Sequence, residues 1–162
     1  MSPRTQVRVR PGRAEDAAAL SALAMRSKGH WGYDDAFLDA CRGELTISPE
    51  AIATSRVTVA ETGGAVAGFV SLVGRPPVGE LGHLFVDPPC IGTGVGRSLF
   101  DAAVDTARRD GFHAFTVDAD PGAEGFYLRM GAARIGLATS GSIPGRRLPR
   151  LRYDVADVIG PT

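Results

Sequence analysis

Along this chain the apolar positions switch several times between two-residue and helical spacing. Residues 6–10 (QVRVR) alternate apolar and basic, which predicts a strand with one buried face. Glu15 and Asp16 then open a stretch to about Lys28 in which Ala17, Leu20, Leu23 and Ala24 recur at helical spacing. Residues 29–33 (GHWGY) read as a loop. Asp34 or Asp35 caps a second helix that turns Phe37, Leu38 and Cys41 inward. Ser48-Pro49, a capping residue followed by proline, predicts a short helix over residues 49–53. RVTVAE (56–61) and AVAGFVSLV (65–73) flank Gly63-Gly64 and predict a β-hairpin. A turn over 75–79 leads to a central strand, ELGHLFVD (80–87). Residues 97–111 follow as an amphipathic helix, then the strand HAFTVDAD (113–120) and the helical segment PGAEGFYLRMGA, stopped by Gly131. ARIGLAT (133–139) and LPRLRYDV (148–155) are two more strands.

Between the central strand and the amphipathic helix lies VDPPCIGTGVG (86–96), with alternating glycines at 92, 94 and 96. Glycine admits positive φ and lets backbone approach a ligand closely. The free amides and dipole of a helix start then make a cradle for phosphate. A Walker loop is excluded, because no lysine lies between Gly92 and Ser98. The dinucleotide fingerprint requires glycine at position 97, where Arg97 stands, although Asp118 and Asp120 lie at a ribose-binding distance along the chain. A tight turn with no ligand is the plain alternative.

Two motifs in this order resemble those of the GNAT acetyltransferase superfamily. The glycine loop is similar to the family's R/Q-x-x-G-x-G/A pyrophosphate loop: Gly94 and Gly96 match, and Ile91 stands where arginine or glutamine is usual. Asp120, Ala123, Tyr127 and Gly131 are similar to N-x-x-A-x-x-x-Y-x-x-x-G, with Asp120 in the asparagine's place. The element order β-α-α-β-β-β-α-β-α-β-β is the layout GNAT proteins share. The resemblance covers essentially the whole chain and is strongest over residues 80–132. It implies an α/β (α+β) fold in one domain, 1–162, with a mixed, mostly antiparallel sheet of about seven strands and helices on both faces.

The resemblance further implies acetyl-CoA as acyl donor, its pantetheine arm lying between splayed fourth and fifth strands. The cofactor contacts it implies are Leu84, Phe85, Val86, Gly92, Thr93, Gly94, Val95, Gly96, Arg97, Asp120, Ala123 and Tyr127. Tyr127 takes the role of general acid toward the CoA thiolate, with backbone amides around Phe85 and Val86 as oxyanion donors. An ionised Asp120 accepts hydrogen bonds but cannot donate, so Asp120→Asn is expected to leave acetyl-CoA affinity unchanged or to improve it. The acceptor pocket falls to the loop between the first two helices and the last hairpin, hence to His30, Trp31, Tyr33 and Arg146.

The general base stays open. Glu80 and His83 lie on the central strand and, an odd number apart, are expected on opposite faces. His83 interrupts an apolar strand and an imidazole titrates near neutrality, but a hydrogen-bonded core histidine fits the same pattern. Asp118 and ordered water are further candidates. G-x-S-x-G and H-E-x-x-H are both absent, which removes serine-hydrolase and zinc-protease readings.

Eighteen basic residues balance 18 acidic ones, so no nucleic-acid or membrane surface is indicated. Cys41 and Cys90 lack metal spacing, no metal is expected, and reduced thiols suit a cytoplasmic protein. The expected activity is N-acetylation of a small-molecule or peptide amine by a monomer or homodimer. A non-catalytic acyl-CoA sensor of the same fold and a dinucleotide-binding oxidoreductase are the alternatives.

Overall fold

The hairpin marked by Gly63-Gly64 is the nucleus of the sheet: β2 (Arg56–Thr62) and β3 (Ala65–Val73) pair antiparallel across the two glycines, both at positive φ. That backbone suits the twist of a tight hairpin. In the computed structural model, which describes residues 6–155, β1 (Val7–Pro11) pairs with β2 on one side. On the other side β4 (Val78–Val86) pairs antiparallel with β3. β5 (Ala114–Asp118), β6 (Ala133–Thr139) and β7 (Arg147–Asp154) complete a seven-stranded sheet in the order β1-β2-β3-β4-β5-β7-β6. Only β4 and β5 pair in parallel.

Side chains alternate across the sheet and build two cores. On one face Val70, Leu72 and Phe115 pack under α4 (Val95–Arg109) and α5 (Glu124–Arg129). On the other, Phe69 and Val59 pack under α1 (Ala17–Gly29), α2 (Asp35–Leu45) and α3 (Pro49–Thr54). The expected caps form: Asp34 accepts from the Phe37 amide at 2.8 Å and Ser48 from the Ala51 amide at 3.0 Å. Gly68 of β3 lets α4 lie close to the sheet, because a Cβ there would fall 2.6 Å from the Phe85 carbonyl and 2.9 Å from Leu99.

One local irregularity corrects the strand reading. Ser71 pairs with His83 and Leu72 with Leu81, so Gly82 is an extra residue in β4. The bulge reverses the alternation beyond it. Leu81 packs in the α4 core, whereas His83 lies beside Phe69 and Phe85 on the α1 face. Glu80 and His83 therefore project to the same face, not to opposite faces. No helix of the described residues is long and apolar enough to cross a membrane.

Candidate active site

Parallel pairing between β4 and β5 covers only Val78 to Glu80 against Ala114 to Thr116. Beyond it the strands part, and a cavity of about 600 Å³ opens between them. The Asp87 amide donates to Ala67 of β3 at 2.8 Å. Since amide direction alternates along a strand, the N–H groups of Val86 and Leu84 point away from β3 into the gap, and that of Phe85 points back toward β3.

At one end of this cavity the glycine loop meets α4. Gly94 is the helix N-cap in a left-handed conformation, φ +94°. The first amide to close a helical bond there is that of Ser98, onto the Gly94 carbonyl at 3.1 Å. The amides of Val95, Gly96 and Arg97 precede it and have no acceptor within the helix. Gly92, Gly94, Gly96 and Arg97 line the cavity, as does Ile91, which is 41% exposed. Thr93 and Val95 do not line it, and the Val95 side chain is core. A Cβ on Gly96 would press on the Phe126 ring at 3.3 Å, so this glycine sets the approach of α5 to α4.

Tyr127 of α5 lines the gap with only 5% of its surface exposed. Its hydroxyl makes no hydrogen bond with a described residue, and burial pushes the phenol pKa well above its ordinary value. Ala123, in the turn before α5, lines the same wall. The chain thus delivers free backbone amides, a phenol and a helix start to one cleft.

Asp120, just past β5, is the centre of a polar cluster. One carboxylate oxygen accepts from Lys28 Nζ and from the Tyr33 hydroxyl, each at 2.8 Å, with Arg146 at 3.5 Å. The other accepts from the Gly122 amide at 2.9 Å and caps the turn before α5. Arg146 donates to the Tyr33 hydroxyl at 2.7 Å and lies over the Phe37 ring, which stacks on Tyr33. Burial alone would raise the Asp120 carboxyl. The bonds from Lys28, Gly122 and Tyr33 outweigh it and hold the pKa below the usual carboxylate range. Asp120 therefore ties α1, the α1–α2 loop and the β6–β7 loop to the end of β5.

That position changes what Asp120→Asn should do. Removing the charge leaves Lys28 and Arg146 facing each other without a counter-ion, so stability should fall by about 3 kcal/mol. Thermal unfolding at neutral pH should show a loss of roughly 10 °C. A carboxyl whose folded pKa is depressed stabilises fully above its unfolded pKa and loses that contribution as pH falls through the folded value. The gap between wild type and Asp120→Asn should accordingly narrow below about pH 4. An unchanged melting temperature at neutral pH would deny Asp120 this role.

Of the four residues read as acceptor-binding, only Trp31 lines the cavity, with its ring against Gly122. Tyr33 and Arg146 belong to the Asp120 cluster, and His30 packs edge-on to Trp31 at 5.7 Å. Glu80 is exposed at the last position of β4 that pairs with β5, outside the gap. His83 lines the cavity, but both ring nitrogens are engaged. Nε2 donates to the Glu44 carbonyl at 3.0 Å, since a carbonyl only accepts, and Nδ1 accepts from the Ser71 hydroxyl at 3.0 Å. Asp118 is held by Arg150 through two bonds of 2.7 and 3.0 Å. Sequence reasoning missed Lys28, Cys41, Glu44, Arg129 and Leu148, all on the cavity wall. No motif marks them; α1, α2, α5 and β7 bring them there.

The chain matches the model of the acetyltransferase (GNAT) domain over residues 39–140. It belongs to the GNAT family. A GCN5-related N-acetyltransferase from Rhodopseudomonas palustris is similar at 26% identity and TM-score 0.77, over 95% of this chain and 99% of that one. PaiA N-acetyltransferase from Thermoplasma acidophilum, solved with coenzyme A, shares the fold at 18% identity and TM-score 0.77, over 92% and 99% of the two chains. YncA of Salmonella typhimurium, solved with acetyl-CoA, does so at 20% identity and TM-score 0.67, over 98% and 99%. No curated protein matches the chain in sequence. In this GNAT domain the fold is the mixed seven-stranded sheet with helices on both faces that the resemblance implied.

Proposed function

We propose that this GNAT domain transfers an acetyl group from acetyl-CoA to a primary amine by direct attack. The observation that carries the reading is the continuity of three features in one cavity. These are the α4 start with its free amides, the β4 amides of Leu84 and Val86 with no strand partner, and the Tyr127 hydroxyl. Coenzyme A and acetyl-CoA in the structures of PaiA and YncA support the choice of cofactor. The sensor alternative has no such support from a catalytic phenol, and the oxidoreductase alternative lacks its third glycine.

Acetyl-CoA supplies an activated acyl group as a thioester. The backbone from Gly92 to Arg97 receives its pyrophosphate, and Arg97 adds positive charge beside that loop. The Leu84 and Val86 amides hold the pantetheine arm and the carbonyl oxygen where negative charge develops. Tyr127 gives its proton to the departing sulfur. The raised phenol pKa keeps that proton in place through the neutral range and makes the phenol the weaker acid, so it donates only as the thiolate charge develops beside it; the phenolate left behind regains a proton from solvent. His83 positions rather than transfers protons, because neither nitrogen is open to the cleft. The amine therefore loses its proton to water.

Calorimetric titration with acetyl-CoA, CoA and NAD, followed by thiol release with a panel of primary amines, tests the proposal. Binding of acetyl-CoA and CoA but not NAD, with thiol release that requires an amine, is expected. NAD binding would favour the oxidoreductase, and acetyl-CoA binding without turnover on any amine would favour the sensor.

A further inference from the structure

We infer that Glu44 is the carboxylate that receives the acceptor, and that the acceptor is a primary alkylamine arriving as its ammonium ion. This rests on the N-acetyltransferase reading above. The cavity wall carries three carboxylates, and two are engaged: Asp118 by Arg150, Asp120 by Lys28, Tyr33 and Arg146. The Glu44 carboxylate has neither an ion pair nor a hydrogen bond among the described residues. Its backbone is nevertheless fixed, since the Glu44 carbonyl accepts from His83 on β4, at the edge of the gap.

Two further features set Glu44 apart from an ordinary surface acid. It stands in the last turn of α2, where the helix dipole disfavours a negative charge. A local rule broken without a compensating protein partner points to a partner from outside. The carboxylate also lies close to the β6–β7 loop, since a Cβ on Gly141 would meet Glu44 Oε1, the far end of an exposed and adaptable side chain.

The charge layout gives the ligand class. Arg97 adjoins the glycine loop, whereas Glu44 comes from α2 and is the one carboxylate of the wall without a partner among the described residues, and such a charge selects a cation. Trp31, Leu45 and Leu148 on the same wall offer apolar and aromatic surface to the amine's organic part, and an indole face also favours a cation. An arylamine, uncharged at neutral pH, gains nothing from Glu44. Carboxylates as a class are about six pH units less basic than alkylamines, so the carboxylate contributes affinity, and solvent removes the proton.

The test compares wild type with Glu44→Gln and Glu44→Asp. Benzylamine, phenethylamine and tyramine serve as alkylamine probes and 4-methoxyaniline as the arylamine, with acetyl-CoA affinity measured by calorimetry. An alkylamine is expected to be the better wild-type acceptor, with a KM that rises with ionic strength. Glu44→Gln should raise that KM by about 10- to 100-fold, the worth of a charge-assisted hydrogen bond. Acetyl-CoA affinity should stay unchanged, which also shows that the variant folds, and Glu44→Asp should recover part of the loss. An unchanged KM in Glu44→Gln, or an arylamine preference in wild type, overturns the inference while leaving acetyl transfer intact. Acetyl-CoA binding without turnover of any amine, or no acetyl-CoA binding, overturns the transferase reading and this inference with it.

Discussion

Tyr127→Phe is expected to slow acetyl transfer by about 10²–10⁴-fold, the usual contribution of a positioned general acid. The ring is held independently of its hydroxyl: it is 5% exposed and packs against Phe126 at 5.2 Å and Phe100 at 6.3 Å. Because the hydroxyl bonds to no described residue, its removal breaks no protein contact, and melting temperature and Michaelis constants should change little. That separation makes the variant informative, since a lost rate cannot be charged to lost packing. Product release limiting turnover would mask part of the effect, so single-turnover rates on a good acceptor are the proper measure. Wild-type rates in that experiment would remove Tyr127 from the mechanism and leave water as proton donor to the thiolate.

The parts legible in the sequence were those with a local physical cause. Alternation and turn glycines located the β2–β3 hairpin, capping residues located α2 and α3, and the alternating glycines located the α4 start. Illegible parts depended on pairing between distant segments. The bulge at Gly82 leaves no mark in ELGHLFVD, which alternates as well with it as without it, yet it decides which face His83 occupies. The Asp120 cluster joins by direct hydrogen bonds residues up to 113 positions apart, so neither Lys28 nor Tyr33 betrayed its partner. Tyr33 and Arg146 are expected as acceptor contacts because they lie in the two loops to which the resemblance assigns the acceptor pocket. In the structure both belong to the Asp120 cluster, which braces these loops. Glu44 looked like any polar residue on an amphipathic helix, and only the accounting of which carboxylates are already paired distinguishes it.

Gly94→Val should weaken binding of CoA and acetyl-CoA by about 10²–10⁴-fold, corresponding to two charge-assisted hydrogen bonds of roughly 1.5–3 kcal/mol each. Nothing in the protein lies within 4 Å of a Cβ placed on Gly94. The expected harm is therefore no internal clash. It has two sources, a β-branched residue forced to φ +94° and side-chain atoms standing where phosphate approaches the α4 amides. The first source belongs to stability and costs about 1–3 kcal/mol in any glycine turn of this kind. Gly111→Val isolates it, because Gly111 has φ +86°, open space around its Cβ and a place outside the cavity. Both variants should lose comparable melting temperature without ligand, but only Gly94→Val should lose CoA affinity in calorimetry. Unchanged CoA affinity in a folded Gly94→Val protein would detach the glycine loop from the cofactor. Equal loss of affinity in both variants would assign the effect to global strain rather than to the phosphate cradle.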